Sequence, residues 1–411
     1  MDDYRQIHIQ RLATSNIEER FLLICKGRYY EVSRAIIELI LCLQKEDTME
    51  KAITIYTGKM NNVFSYEEIE ELIVKCIIPM FNPNITTPQK TFIYERELFT
   101  ASSIDYFSNA CSFLFHRKYM LTFIVIVTIL DIYFFHTAEN LLNFNNSANA
   151  YNIIGLLFFI IASSLFHELG HASACKFFNI HHGGIGFGLY LNFPVLYTNV
   201  TEIWRLNRKQ RCIVNIAGVY FQMYGVCLPT SWVQMYALFL LLVLYILTKH
   251  DIVRYMILVM NLGFLITLNP FFKFDGYWIA SDILGIPNLR LRSKELLINW
   301  FKYIKKNPSA RKPYLLQVNK FERYGLLIYS IIINLFMGYY FFYIIPKFTI
   351  SFINSFPNEI HQLVLYLSND MTPSFALLRN ITMQLLLLAL IGVFIFNFIR
   401  HIPKYISNIQ K

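Results

Sequence analysis

The seven cysteines of this 411-residue chain include no Cys-x-x-Cys pair. They stand at positions 25, 42, 76, 111, 175, 212 and 227, several of them within apolar runs. An odd, unpatterned set favours free thiols in a reducing compartment and argues against a disulfide framework or a cysteine-rich zinc module. The N-terminus also lacks the apolar segment of a signal peptide, so we expect no cleavable leader and membrane insertion through internal helices.

Charged residues are scarce as well. They make up 16% of the chain, against 55% hydrophobic and 17% aromatic residues, and the mean hydropathy is +0.40. Soluble domains carry about 25% charged residues, so this composition indicates a membrane protein. The net charge is +10, with basic clusters at 205–211, 290–312 and 320–323. Nucleic-acid binding is the alternative, but clusters that flank apolar segments follow from the positive-inside rule, and we expect no nucleic-acid partner.

Apolar runs of spanning length dominate the chain from Tyr119 onward. They occur at 119–138, 152–178, 212–230, 232–248, 252–272, 325–345 and 380–399. The sequence therefore predicts a mainly α fold, a polytopic helix bundle that crosses the cell membrane several times. We divide the chain into a soluble domain (1–81), a linker and juxtamembrane segment (82–118), a membrane core (119–285), a basic cytoplasmic loop (286–324) and C-terminal membrane helices (325–411).

The first 81 residues have the pattern of a small α+β domain. The segments 21–25 and 28–32 flank Lys26-Gly27, which indicates a β-hairpin with glycine in its turn. Three short amphipathic helices are expected to follow, and the third begins at the capping box Ser65-Tyr66-Glu67-Glu68. This order of elements predicts a winged-helix-like domain.

The sequence His167-Glu168-Leu169-Gly170-His171 lies inside an apolar helix pattern. In H-E-x-x-H the two imidazoles lie one helical turn apart and can bind one zinc ion, while the glutamate can deprotonate a water at the open metal position. Two core histidines beside a stray acid are the alternative. Three ionisable side chains within a membrane helix are costly unless they have a function, so the sequence predicts a zinc site.

A third ligand is needed, because catalytic zinc usually has three protein ligands and one open position. Asp275 ends an apolar run, and Pro270 and Gly276 allow the backbone around it to break and direct a carboxylate inward. The alternative is a helix end with a solvated acid, which is less favourable once H-E-x-x-H is present. Asp131, in the first apolar run, is interpreted as an inward-facing packing group rather than a catalyst.

Together these motifs resemble the site-2 protease family of intramembrane zinc metalloproteases. Leu165–Ala172 and the later Asn-Pro-x-x-x-x-Asp-Gly-Tyr-Trp motif, which begins at Asn269, carry the resemblance. It covers roughly residues 115–285 and is strongest to the bacterial branch described as peptide zinc metalloproteases.

The resemblance implies that His167, His171 and Asp275 bind Zn²⁺ and that Glu168 is the general base. It also implies that Asn269 holds the substrate backbone or the developing oxyanion. Many members have a shorter Leu-Asp-Gly motif, so the spacing between Asn269 and Asp275 differs in this chain.

Between the two motifs, residues 181–194 alternate glycine or polar residues with apolar ones. The glycines superficially suggest a phosphate loop, but neither a preceding strand nor a following Lys-Ser/Thr supports one. We therefore expect a strand or hairpin near the membrane, along whose edge a substrate could pair in an extended form. His181 and His182 are candidate metal ligands, but a pair of loop histidines is the favoured interpretation.

The distribution of basic residues predicts a cytoplasmic N-terminal domain, with 205–211 and 290–323 on the same side. If every apolar run crosses the membrane, Asp275 falls on the wrong side for the two histidines. We therefore expect one of 212–230 and 232–248 to be re-entrant.

The N-terminal domain is similar to the leader-peptide recognition domains of the pyrroloquinoline-quinone chaperone type. Those domains bind an extended peptide at a sheet edge, so the resemblance implies recognition of a ribosomally made peptide; a structural or regulatory domain is the alternative. The leading hypothesis is an intramembrane zinc endopeptidase whose partners are a peptide or membrane-protein substrate, the lipid bilayer and a candidate peptide exporter. The alternatives are a protease that releases a membrane-tethered transcription regulator and a non-catalytic membrane binding or export accessory protein.

Overall fold

The computed structural model describes residues 7–61, 63–81, 92, 94–139, 141, 150–190, 193–224, 238–304, 314–369, 371–374, 376–385, 387–389 and 391–392. Within them the protein is mainly helical, with two small three-stranded sheets. Its strands are β1 (His8–Leu12), β2 (Arg20–Cys25), β3 (Arg28–Ser33), β4 (Glu95–Phe99), β5 (Ile185–Tyr190) and β6 (Phe193–Thr198).

The α-helices follow in chain order, with short 3₁₀ or π turns beside several of them. They are α1 (Arg34–Lys45), α2 (Met49–Lys59), α3 (Tyr66–Leu72), α4 (Ile78–Phe81), α5 (Ala101–Cys111), α6 (Arg117–Thr137), α7 (Ala150–Phe177), α8 (Arg208–Tyr224), α9 (Leu238–Thr248), α10 (Asp251–Thr267), α11 (Asp275–Leu284), α12 (Leu289–Ile304), α13 (Lys320–Tyr339) and α14 (Ile345–Ser368). The described residues fall into two compact units: those within 1–89, 97–186 and 196–326, and those within 90–96, 187–195 and 327–411.

Three antiparallel strands in the order β1-β2-β3 open the first unit. Lys26 and Gly27 form the turn between β2 and β3, with φ angles of 48° and 74°. Two positive φ angles are those of a type I′ turn, whose twist matches the strands of a hairpin. The predicted hairpin is confirmed, and β1, which pairs with β2 along its whole length, is an additional strand.

Helices α1, α2 and α3 follow the hairpin as predicted. The capping box is also confirmed, since Ser65 Oγ accepts from Glu68 N at 3.2 Å and the Glu68 carboxylate accepts from Ser65 N at 2.9 Å. Strands and helices share a buried cluster that includes Leu23, Val32, Ile40, Leu43, Ile53, Tyr56, Ile73 and Ile77. The apolar faces expected from the sequence thus form one small hydrophobic core.

The segment 13–17, between β1 and β2, anchors this part of the chain to the helices that follow later in the first unit. Ser15 N donates to Gly285 O at 2.9 Å, at the C-terminal end of α11. Arg211 of α8 donates to Ala13 O at 3.2 Å. The hydrogen bonds of this anchor segment connect residues more than 190 positions apart in sequence, and no local pattern predicts them.

Three helical stretches among the described residues are long and apolar enough to cross a membrane: Arg117–Thr137, Ile154–Phe177 and Lys320–Ser368. They correspond to the first, second and sixth of the seven predicted runs. The last stretch is longer than its run, because polar residues such as Asn354 and Glu359 interrupt the apolar pattern without ending the helix.

In the middle of the chain the predicted spans 212–230 and 232–248 stay predictions, since residues 225–237 lie outside the described residues. Among the described residues, α8, α9 and α10 have 17, 11 and 17 residues. Helices α8 and α9 border residues 225–237, and the 17 residues of α10 lie at the lower end of spanning length. Lys249 has a φ of 52° and the His250 side chain caps the start of α10, so the backbone breaks between the predicted runs 232–248 and 252–272. Residues 225–237 and nine of the twenty residues of the 380–399 run lie outside the described residues, and the re-entrant segment stays a prediction.

Helices α7 and α8 pack with their backbones close together. A Cβ built on Gly170 of α7 would lie 2.9 Å from both the carbonyl carbon of Ala217 and Phe221 Cγ of α8. Small residues permit such close approach between apolar helices. This contact holds the H-E-x-x-H turn directly against α8.

The second sheet has the order β4-β5-β6. The strand expected within residues 181–194 is therefore confirmed as β5, and β6 beside it extends beyond the predicted segment to Thr198. Residues 191–192 lie outside the described residues. Strand β4 and helix α5 come from the segment 82–118, where the sequence indicated only a connection.

The second unit contains residues 327–339 of α13, all of α14 and the helical residues 376–385. Its polar contacts include Gln384 Nε2, which donates to Ser355 Oγ and to Glu359 Oε1, both at 3.2 Å. The Glu359 carboxylate is thus hydrogen-bonded to the neighbouring helical segment 376–385.

Candidate metal centre

The structure brings the three predicted zinc ligands together within the first unit. His167 and His171 lie one turn apart on α7, with their Nε2 atoms 3.2 Å apart. Asp275 begins α11, and its Oδ2 lies 2.9 Å from His167 Nε2 and 3.3 Å from His171 Nε2. The side chains are 12%, 9% and 19% exposed, so the three atoms converge in a nearly buried pocket.

The hydrogen bonds of the far ring nitrogens fix where the imidazole protons lie. His171 Nδ1 is 2.8 Å from Val214 O, a carbonyl that can only accept, so Nδ1 carries the proton. His167 Nδ1 is 3.1 Å from Gln222 Oε1. When both imidazoles are neutral, the Nε2 atom of each histidine presents a lone pair to the other histidine and to the Asp275 carboxylate.

The Asp275 Oδ2 atom is buried and receives no hydrogen bond. It nevertheless lies within ion-pair distance of both imidazoles. Three electron-pair donors at 2.9–3.3 Å repel one another unless a positive charge lies among them. A metal cation supplies that charge, and so would a second proton on one imidazole.

Zinc matches both the chemistry and the spacing of this donor set. Two nitrogens and one carboxylate oxygen are ordinary ligands for a catalytic zinc. Ligands about 2.0–2.1 Å from a tetrahedral zinc are about 3.3 Å from one another. The observed separations of 2.9, 3.2 and 3.3 Å are close to that value. The residues present therefore fit zinc.

Glu168 lies between the two histidines in sequence and is 7% exposed. Its carboxylate belongs to a group with His167 and His171 whose potential ligand atoms all lie within 4.8 Å of one another. Its backbone carbonyl accepts from Thr198 Oγ1 at 3.0 Å, which ties the end of β6 to this turn of α7. The carboxylate is thus close enough to exchange a proton with a water beside the histidines.

The loop before Asp275 is tightly closed. A Cβ on Gly276 would lie 2.8 Å from Leu268 Cα, so a larger residue could not follow the aspartate without moving the backbone. Asn269 Oδ1 accepts from Phe271 N at 2.8 Å, which uses the amide oxygen inside the loop. The amide hydrogens are the groups that Asn269 can offer to an oxyanion, and that role stays a prediction.

Helix α8 contributes contacts that the sequence motifs did not reveal. Val214, Gly218 and Gln222 follow one another at four-residue spacing, on one face of the helix. The Val214 carbonyl accepts from His171, and the Gln222 side-chain oxygen accepts from His167. A Cβ on Gly218 would collide with the His167 ring. The sequence did contain a signal for these contacts, because Gly218 and Gln222 interrupt an apolar run at a spacing of one helical turn.

Helix α11, which carries Asp275, is fixed to α8 at its other end. Arg211 Nε donates to Asp282 Oδ1 at 2.6 Å, and Asn215 Nδ2 donates to Asp282 Oδ2 at 2.9 Å. The Arg211 and Asp282 side chains are only 3% and 7% exposed. This buried pair sets the position of α11 against the helix that also contacts both histidines.

The remaining candidates make other contacts. His182 Nε2 lies 3.1 Å from Ser108 Oγ and 3.4 Å from Asp105 Oδ1, which agrees with a structural loop histidine. Lys176 donates a hydrogen bond to Asp105, and this bond lowers the pKa of that carboxyl. Asp131 Oδ1 accepts from Asn261 Nδ2 at 2.9 Å, which agrees with a packing role.

Comparisons with known proteins give one significant likeness among curated sequences. A protein of Bacillus subtilis (strain 168) named "Putative peptide zinc metalloprotease protein YydH" is 35% identical over 69 residues. The match covers 16% of this chain and 27% of that protein. No family model and no solved structure matches. The partial likeness and the His-Glu-His group support the same coarse class, a zinc metalloprotease.

Proposed function

We propose that the protein is an intramembrane zinc endopeptidase. His167, His171 and Asp275 would hold the metal, and Glu168 would act as the general base. The observation that carries the proposal is the convergence of His167 Nε2, His171 Nε2 and Asp275 Oδ2 at 2.9–3.3 Å in a nearly buried pocket. The apolar helix Ile154–Phe177, on which both histidines lie and which is long enough to cross a membrane, supports the membrane setting.

When bound, zinc supplies Lewis acidity that polarises the scissile carbonyl and makes a water molecule more acidic. Glu168 takes a proton from the attacking water, whose oxygen forms the new bond to the carbonyl carbon. The same carboxyl returns that proton to the amide nitrogen as the C–N bond breaks. The Asn269 amide hydrogens would stabilise the negative charge on the carbonyl oxygen.

The substrate must reach this site in an extended form, because a helix hides its peptide bonds. Strand β6 ends at Thr198, whose hydroxyl group bonds to the Glu168 carbonyl. Among the described residues β6 is the last strand in the order β4-β5-β6, and an edge strand can accept an added strand. We propose that a substrate segment pairs there before cleavage.

We propose a small ribosomally made peptide as substrate, recognised by the domain of residues 1–81 on the cytoplasmic side of the cell membrane. The anchor segment 13–17 supports cooperation between this domain and the candidate metal centre, since it joins the domain to α8 and α11. A peptide exporter would act on the product.

Two measurements test this function: the cleavage products of a co-expressed peptide and the zinc content of the purified chain. Co-expression with a small peptide encoded beside this chain, followed by mass spectrometry, should reveal cleaved products with the wild type and none with Glu168→Gln. If a membrane-tethered transcription regulator is cleaved instead, the chain is a regulatory protease. Equimolar zinc without any hydrolysis would favour a non-catalytic accessory protein.

A further inference from the structure

We propose that Gln222 is a positioning residue that fixes the His167 imidazole for metal binding. This inference rests on the proposed zinc site and adds to it a residue outside every motif of the sequence. It concerns the bond between Gln222 Oε1 and His167 Nδ1, which measures 3.1 Å.

The orientation of the Gln222 amide is fixed by Ser163, one turn before His167 on α7. Gln222 Nε2 donates to Ser163 O at 3.3 Å and lies 3.0 Å from Ser163 Oγ. A carbonyl oxygen cannot donate, so the NH₂ group must face Ser163. The amide oxygen is therefore the atom that faces His167, and the imidazole must donate to it from Nδ1.

This hydrogen bond decides which ring nitrogen is available to a metal. With the proton on Nδ1, the Nε2 lone pair points toward His171 and Asp275. Without an acceptor at Nδ1 the proton can move to Nε2 and the ring can rotate. Such outer partners of metal-binding histidines typically change metal affinity by about 10–100-fold when they are removed.

The two histidines differ in how they are held. His171 donates to a backbone carbonyl, Val214 O, which no side-chain substitution removes. The orientation of His167, in contrast, depends on the side chain of Gln222. Gln222 is therefore the position at which the orientation of the metal ligands can be changed without altering a ligand.

Substitutions at Gln222 separate positioning from packing. Gln222→Leu keeps the approximate volume and removes the acceptor, whereas Gln222→Glu keeps an acceptor for Nδ1–H. Gln222→Asn keeps a polar amide that is too short to span the same gap, and it is the second variant if the leucine fails to fold. Asn261→Leu is the matched control, because it removes another amide between apolar helices, one that bonds Asp131.

Zinc affinity of the full chain in detergent, measured by competition with a chromogenic chelator, is the first readout. We expect Gln222→Leu and Gln222→Asn to weaken zinc binding by about 10–100-fold. Gln222→Glu keeps an acceptor for Nδ1–H but loses the donor to Ser163 O, so it should weaken zinc binding less than Gln222→Leu does. Asn261→Leu should stay close to the wild type. The visible spectrum of the Co²⁺-loaded chain is the second readout, and it should change in Gln222→Leu but not in Asn261→Leu.

The outcomes distinguish this inference from the proposed function. A wild type that binds no zinc overturns both. A wild type with one zinc, together with wild-type affinity and an unchanged Co²⁺ spectrum in Gln222→Leu, overturns the role of Gln222 alone. Equal losses in Gln222→Leu, Gln222→Glu and Asn261→Leu would reduce its role to helix packing.

Discussion

Replacing Gly218 by alanine is the smallest change that should disrupt the metal centre without touching a ligand. A Cβ at this position would lie 2.6 Å from His167 Cδ2, and Cε1 and Nε2 of the same ring would be closer still. Non-bonded carbon atoms prefer about 3.5–4.0 Å. The imidazole must therefore move by about 1 Å, or α8 must withdraw from α7 by the same amount.

A movement of that size is large for a metal site. Ligand distances in real sites stay within about 0.2 Å of their ideal values, so a shift of about 1 Å moves Nε2 well outside binding range. The helix itself should tolerate the change, since alanine favours a helix over glycine by about 1 kcal/mol. We expect a folded Gly218→Ala protein that has lost most of its zinc and its hydrolytic activity.

Gly263→Ala is the matched control, because Gly263 also lies inside an apolar helix and a Cβ there would meet no atom within 4 Å. Both variants would be purified in parallel, and zinc would be measured per chain by elemental analysis. Gly263→Ala should keep wild-type zinc. Equimolar zinc and full activity in Gly218→Ala would refute the packing of His167 against α8.

Three further changes test other parts of the account. Glu168→Gln should keep zinc but lose about 10²–10⁴-fold in rate, because it removes the proton acceptor and no ligand; wild-type turnover would exclude Glu168 from the chemistry. Arg211→Met should cost about 3–5 kcal/mol, because it leaves the Asp282 carboxylate buried without its cation; an unchanged denaturation midpoint would contradict this. Deleting residues 1–80 should raise KM for a leader-bearing peptide more than for a leaderless one, because remote uniform contacts are lost; equal effects on both peptides would assign that domain a structural role.

Local chemistry explains why much of the candidate site could be predicted. H-E-x-x-H specifies its own geometry, because α-helical spacing alone brings His167 and His171 to one face. Asp275 could be predicted because a proline and a glycine mark a backbone break beside it. The Lys26-Gly27 turn is similar, since two residues with positive φ determine the hairpin.

The contacts that hold the site depend on packing between distant helices, and the sequence patterns did not predict them. Val214 accepts from His171 through a backbone carbonyl, so its side chain carries no signal. Ser15 reaches Gly285 through backbone groups as well. Strand β4 was missed because its residues, Glu95–Phe99, are exposed and mostly charged, and only pairing with β5 makes them a strand.

The zinc content of the purified full-length chain tests the central claim most directly. The account predicts one zinc per chain in the wild type, prepared without chelators, and strongly reduced zinc in His171→Ala and in Asp275→Ala, because each removes one of three converging donor atoms. Full zinc occupancy in Asp275→Ala would place the third ligand elsewhere. A wild-type chain without zinc, after exposure to equimolar Zn²⁺, would contradict the assignment of a metalloprotease.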